Sequence, residues 1–203
     1  WAARPGVWLH VDGAHAPSAL LSARHRGRLR GAERADSLAW DPHKMMLMPL
    51  SAGMLLVRDE RMLEQAFVQH APYLFPGGGK DRSPDQGRRI FLSSRRADSL
   101  KLWTTLQRYG ADGIGLLYDR LCDTTMALAS QVAARDDFEA LHEPETNILC
   151  FRWRGDGTLG DAALDEANRT LRERYNRTRR GWITGTVLGG RRAYERNPVP
   201  SSD

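Results

Sequence analysis

Two residue types at one spacing suggest covalent chemistry in this 203-residue chain. Asp12 closes the apolar stretch "GVWLHVD", and Lys44 follows 32 residues later in "AWDPHKMML". The chain uses arginine for 27 of its 30 basic residues, so Lys44 is one of only three lysines, with Lys80 and Lys101. A free lysine amine, with a pKa near ~10.4, is a poor nucleophile at neutral pH. Apolar neighbours and cationic partners lower that value and let the amine form a Schiff base with a carbonyl. Pro42 fixes the backbone before Lys44, and Met45, Met46, Leu47 and Met48 follow it. A carboxylate at the C-terminal end of a buried parallel strand stands where open α/β sheets bind ligands. From position alone, Asp12 serves equally well as a turn or helix-capping residue, and Lys44 as a surface cation.

The elements that must position these groups are short. Residues 6–12, 35–41 and 51–59 read as three strands separated by loops or helices, the first of them buried and parallel, which predicts an α/β layer. Residues 76–89, "PGGGKDRSPDQGRR", form a loop rich in Gly, Pro and charge, of the kind that serves as a lid. Leu100, Trp103, Leu106 and Tyr109 recur every three residues and predict a helix face, ending at Gly110. Residues 113–135 predict a linking helix with Ile114, Leu117, Leu121, Leu128 and Val132 inward. Beyond it, "DFEALHEP" and "TNILCFRW" read as strands. An amphipathic helix with Leu164, Ala167, Leu171 and Tyr175 inward comes next, then a strand "GWITGTVLGG". The expected organisation is a large-domain part over 1–112, a linking helix over 113–135 and a small α+β domain over 136–203. The ending "RRAYERNPVPSSD" reads as short and polar.

Composition narrows the function class. Hydrophobic residues make up 41% and charged residues 27%, a soluble globular balance, and no stretch approaches the ~20 apolar residues of a membrane helix. Cys122 and Cys150 lie 28 apart with no ligand cluster around them, which predicts buried thiols and no metal site. With no apolar signal core at the start, this points to the cytoplasm. The net charge of +5 raises nucleic acid as a partner, but "RHRGRLRG" (24–31) has no interleaved aromatics for base stacking. No nucleic-acid or membrane partner is expected.

In order along the chain, "WLHVDGAH", "ADSLAWDPHKMM", "YLF" and "SSRRADSLKLW" resemble the group II pyridoxal-phosphate-dependent amino-acid decarboxylases. That family includes the glutamate, aromatic-amino-acid and 2,4-diaminobutyrate decarboxylases. The resemblance implies a partial fold-type I large domain, an incomplete and mainly parallel sheet, followed by a small α+β domain. It implies pyridoxal 5'-phosphate as cofactor, an L-amino acid as substrate, and a homodimer for a full-length parent. Lys44 matches the lysine that carries the cofactor as a Schiff base, and Asp12 the carboxylate that pairs with the pyridinium nitrogen. Ala14 matches the small residue against the ring face. His43 matches the histidine beside the cofactor lysine, near the phosphate, and Asp41 stands where many relatives have Asn. Tyr73 matches the loop tyrosine that protonates the reaction intermediate. Its presence argues for plain decarboxylation over oxidative deamination. The resemblance covers the C-terminal half of such a protein, without the ring-stacking histidine and most of the phosphate loop. The chain is therefore expected to be a fragment or truncated member. The other reading is a remnant that folds or dimerises without turnover.

Overall fold

The computed structural model describes residues 6–67, 86–92 and 94–196. The chain divides into two compact units, Trp1–Gly115 and Leu116–Asp203.

The first unit holds a three-stranded sheet of β1 (His10–Asp12), β2 (Ser37–Trp40) and β3 (Met54–Val57), in that order. β1 runs parallel to β2, with Asp12 opposite Ala39. β3 runs antiparallel to β2, with Trp40 opposite Met54. The sheet is thus mixed within the described residues rather than mainly parallel. The turn and loop between β2 and β3 contain no crossover helix, and a chain that folds straight back pairs antiparallel. β1 was expected to be buried, yet His10 and Asp12 are exposed. It pairs only with β2 among the described residues, so one of its edges and much of its surface stay uncovered.

Side chains fix the parallel pairing where the strands are too short to do so alone. The Leu9 N–H donates to Asp36 Oδ2 (2.8 Å), and the Trp8 indole N–H donates to Ser37 Oγ (2.9 Å). His10 Nδ1 lies 2.7 Å from the same hydroxyl, a structural use of this histidine.

The core of this unit is built from Met46, Met48, Ala52 and Ile114, with Leu21, Trp40, Leu102 and Leu106 packed against it. After the short helix α1 (Arg61–Ala66), Leu102, Leu106 and Ile114 belong to α2 (Ser99–Ala133), whose backbone leaves helical geometry at Gly110 (φ 66°, ψ 175°), the predicted helix end. Of the predicted face of the first part, only Leu106 packs on this core. Leu100, Trp103 and Tyr109 are more than half exposed. At 3.6 residues per turn a spacing of three drifts by about 60° per step, so four such residues spread across half the helix surface. Leu102 and Leu106, four apart, stay on one face. Further on, Ile114, Leu121 and Val132 are buried as their spacing predicted. Gly115 is needed where it stands, because a Cβ there would collide with the Leu21 carbonyl.

The second unit holds a four-stranded antiparallel sheet in the order β4 (Phe138–Ala140), β5 (Leu149–Trp153), β7 (Arg191–Arg196), β6 (Thr184–Leu188). Helix α3 (Asp161–Arg177) lies between β5 and β6 in sequence. The stretch read as a polar ending supplies β7, which pairs with both β5 and β6. Leu188 pairs with Arg191 across Gly189 and Gly190, which have φ of 58° and 78°. Two adjacent residues at positive φ make the hairpin turn whose twist suits antiparallel strands. Ala193 and Tyr194 of β7 are buried, and Tyr194 joins Val132, Leu149 and Phe151 in the core.

Helix α3 is tied to the sheet by amides rather than by its leucines. Leu171 is 37% exposed, whereas Asn168 is fully buried. Asn168 Nδ2 donates to the Trp153 and Leu164 carbonyls (2.8 Å each), and its Oδ1 accepts the Trp153 N–H (2.9 Å). Asn176 repeats the device on Ile183, donating to its carbonyl and accepting its N–H at 2.9 Å each. We expect Asn168→Leu to destabilise the chain by roughly 2–4 kcal/mol, because it strands both backbone groups of Trp153. A urea titration unchanged by this substitution would contradict the role.

Burial pushes the Tyr194 phenol up to about 12, opposed by the charges of Arg152 and Arg172. Its hydroxyl has no hydrogen-bond partner among the described residues. A phenol that ionises at lower pH when unfolded favours the folded state only while neutral. Its contribution is therefore whole below pH ~10 and falls as pH rises towards 12. Tyr194→Phe is expected to cost less than about 1 kcal/mol at neutral pH and to flatten the loss of stability between pH 10 and 12. Melting temperatures of both chains across that range test it.

Candidate active site

The parallel pairing of β1 with β2 brings the two sequence motifs together. Both strands end on the same side of the sheet, and the loops that follow touch. The Asp41 N–H donates to the Ala14 carbonyl (3.0 Å). Gly13 permits this approach, since a Cβ there would lie 2.5 Å from Pro17 Cγ and 3.1 Å from the Ala39 carbonyl oxygen. Sequence reasoning passed over Gly13. Its position between Asp12 and Ala14, just beyond a strand, was the available signal.

Asp12 carries its exposed carboxylate at the end of β1, where Oδ1 accepts the Ala14 N–H (3.1 Å). Ala14 is half-buried beside it.

Lys44 sits in a turn of residues 41–48 that closes on itself. The Lys44 N–H donates to the Asp41 carbonyl (3.0 Å), the Leu47 N–H to the Lys44 carbonyl (3.1 Å), and the Met48 N–H to the Pro42 carbonyl (3.2 Å). Leu47 adopts a positive φ of 55° and points out, while Met45, Met46 and Met48 are buried. Those three methionines anchor the turn, each burial worth roughly 1.5–3 kcal/mol. The amine itself is accessible: the Lys44 side chain is 38% exposed and Nζ lies 3.1 Å from Asp41 Oδ2. An ion pair this open is worth at most about 1 kcal/mol, so it holds the amine in place without locking it.

Asp41 therefore faces the lysine, and its Oδ1 also lies against Gly53. His43 is oriented by Ala52. Its Nδ1 lies 2.7 Å from the Ala52 carbonyl oxygen and 3.3 Å from the Ala52 nitrogen, and its Nε2 lies 4.0 Å from Asp41 Oδ2. Ala52 is a second residue that sequence reasoning missed, because it acts on His43 only through its backbone. Tyr73 lies outside the described residues.

The other described lysine is structural. Lys101 Nζ pairs with Asp98 (2.8 Å) and donates to the carbonyls of Leu50 (3.2 Å) and Ser51 (2.9 Å). Among the described residues no group of three or more His, Cys, Asp or Glu is placed to hold a metal ion. No described helix is long and apolar enough to cross a membrane.

The pyridoxal-dependent decarboxylase conserved domain matches residues 2–154. The chain belongs to that family. It is 38% identical over 150 residues to the acidic amino acid decarboxylase GADL1 of Mus musculus, covering 73% of this chain and 27% of that protein. It is 38% identical over 153 residues to the cysteine sulfinic acid decarboxylase of Rattus norvegicus, covering 73% of this chain and 30% of that protein. The structure superposes on that of Oryza sativa TDC with PLP and tryptamine at a TM-score of 0.87 and 31% identity, covering 96% of this chain and 40% of that one. The fold is accordingly a partial fold-type I PLP-dependent transferase fold. The chain spans only about a third of the relatives it matches.

The residues present fit pyridoxal phosphate. An accessible primary amine suits an aldehyde, and a strand-end carboxylate suits a basic ring nitrogen. A methyl side chain lies beside that carboxylate, and an imidazole is held by its neighbour's backbone.

Proposed function

We propose that this chain is the lysine-bearing part of a pyridoxal 5'-phosphate-dependent decarboxylase that converts an L-amino acid to its amine and CO2. The observation that carries this reading is the meeting of Asp12 and Ala14 with Asp41, His43 and Lys44 at the paired ends of β1 and β2. In this reading Lys44 would hold the cofactor, because its accessible Nζ is a primary amine that can bond to an aldehyde carbon. Asp12 keeps a proton on the ring nitrogen, because a carboxylate beside a basic nitrogen favours its charged form. Bound pyridoxal phosphate supplies the sink for the electron pair left when the Cα–carboxylate bond breaks. Ala14 leaves room for a flat ring, and His43 orients the phosphate end. Asp41 positions the Lys44 amine until the cofactor arrives. Tyr73 donates the proton that completes the amine at Cα. Assembly as a homodimer and a cytoplasmic setting belong to the same proposal.

The relatives' names span acidic and aromatic substrates, so the test uses a panel. Purified chain is mixed with pyridoxal phosphate, and absorbance is followed together with CO2 release from aspartate, cysteine sulfinate, tryptophan and 2,4-diaminobutyrate. A visible band with CO2 from at least one substrate is expected. A band without CO2 would favour the alternative, a remnant that folds or dimerises without turnover, and no band at all would sink the proposal for this chain.

A further inference from the structure

We propose that the cleft between the end of α3 and the start of β6 binds a planar aromatic ligand that carries a phosphate. This inference is independent of the decarboxylase reading. The cleft encloses about 420 Å³ and is lined mainly by apolar surface, including Trp182, Ile183, Gly185 and the stems of Arg172 and Arg177. That volume falls in the range of small-molecule sites, which are largely apolar with a few placed polar groups.

Three features point to the ligand's chemistry. Trp182, 71% exposed, is part of the cleft lining, and an indole is a ring on which another ring can stack. Arg172 and Arg177 supply guanidinium groups, which match phosphate geometry. Glu173, the one carboxylate in the lining, is already engaged by Arg169 at 2.6 Å and lies 3.9 Å from Arg172. The wider segment 172–180 has five arginines and that single acid, so the field there favours an anion. Arginines in the last turn also complement the helix dipole, which accounts for Arg174 and Arg177 but not for the cleft or the exposed indole.

A separate observation shows that Arg172 is seated rather than merely present. Its guanidinium crosses Gly185, where any Cβ would collide with it. Gly185 leaves open the space that the Arg172 guanidinium occupies.

The test is calorimetric titration of the 203-residue chain with adenosine 5'-monophosphate, adenosine and inorganic phosphate. Saturable binding of the monophosphate is expected, with Kd on the order of 10 μM to 1 mM. Adenosine and phosphate alone should each bind at least about tenfold more weakly. Trp182→Ala, Arg172→Gln and Gly185→Ala should each weaken the monophosphate at least about tenfold, the last by displacing the guanidinium. Trp182→Ala changes an exposed side chain and keeps the test valid if an arginine or glycine variant misfolds. Lys44→Ala should leave this binding unchanged. No saturable binding would overturn the proposal, as would equal binding of phosphate alone. Loss of binding in Lys44→Ala would assign the ligand to the other site and overturn it as well.

Discussion

Lys44→Ala is expected to abolish the visible absorption band that the chain forms with pyridoxal phosphate, and to lower CO2 release at least about a thousandfold, some 4 kcal/mol of barrier. The reason is chemical rather than electrostatic. A covalent bond to an aldehyde needs a primary amine, and Lys44 presents an accessible one beside the strand ends. Lys101 is committed to Asp98 and to the carbonyls of Leu50 and Ser51, so it is a poor substitute. Lys44→Arg separates the two roles of this side chain. Arginine keeps a cation opposite Asp41 but lacks the amine, so the fold should be kept and the band lost. A band that survives in both variants would show that another amine carries the cofactor.

Asp12→Asn is expected to slow CO2 release at least about a hundredfold, close to 3 kcal/mol, the scale seen when one preorganised electrostatic contact is removed. Asparagine retains an oxygen that can accept the Ala14 N–H, as Asp12 Oδ1 does now, so the turn should be preserved. What it removes is the negative charge that favours a protonated ring nitrogen. Asp12→Ala removes both. If Asp12→Asn is active and Asp12→Ala is not, Asp12 is a turn residue and the electrostatic role is wrong. The absorption band gives a second reading, since a loss of charge should weaken cofactor binding in both variants alike.

Both substitutions fall on residues that the motifs picked out. The sequence by itself determined which side chains could do chemistry. A rare lysine in an arginine-rich chain, Asp12 after an apolar run, and the family resemblance are all properties of residue type and order. It also determined elements whose signal is local. The stripe of Ile114, Leu121 and Val132 is buried as its spacing requires.

The tertiary structure decided what depends on neighbours distant in the chain. Of the predicted face that includes Trp103, only Leu106 packs on the core, together with Leu102 one turn before it, while Trp103 points to solvent. Asn168 lies outside the predicted inward face yet is the fully buried anchor, because it gives Trp153 two hydrogen bonds that a leucine cannot give. Arg191–Arg196 became a strand because β5 and β6 both present edges to it. At the site, spacing of 32 residues says nothing about distance. Parallel pairing of β1 with β2, and a Gly13 that lets their loops touch, set Asp12 and the Lys44 turn at the same end of one sheet. Backbone hydrogen bonding and close packing act through space, so only the folded chain contains them.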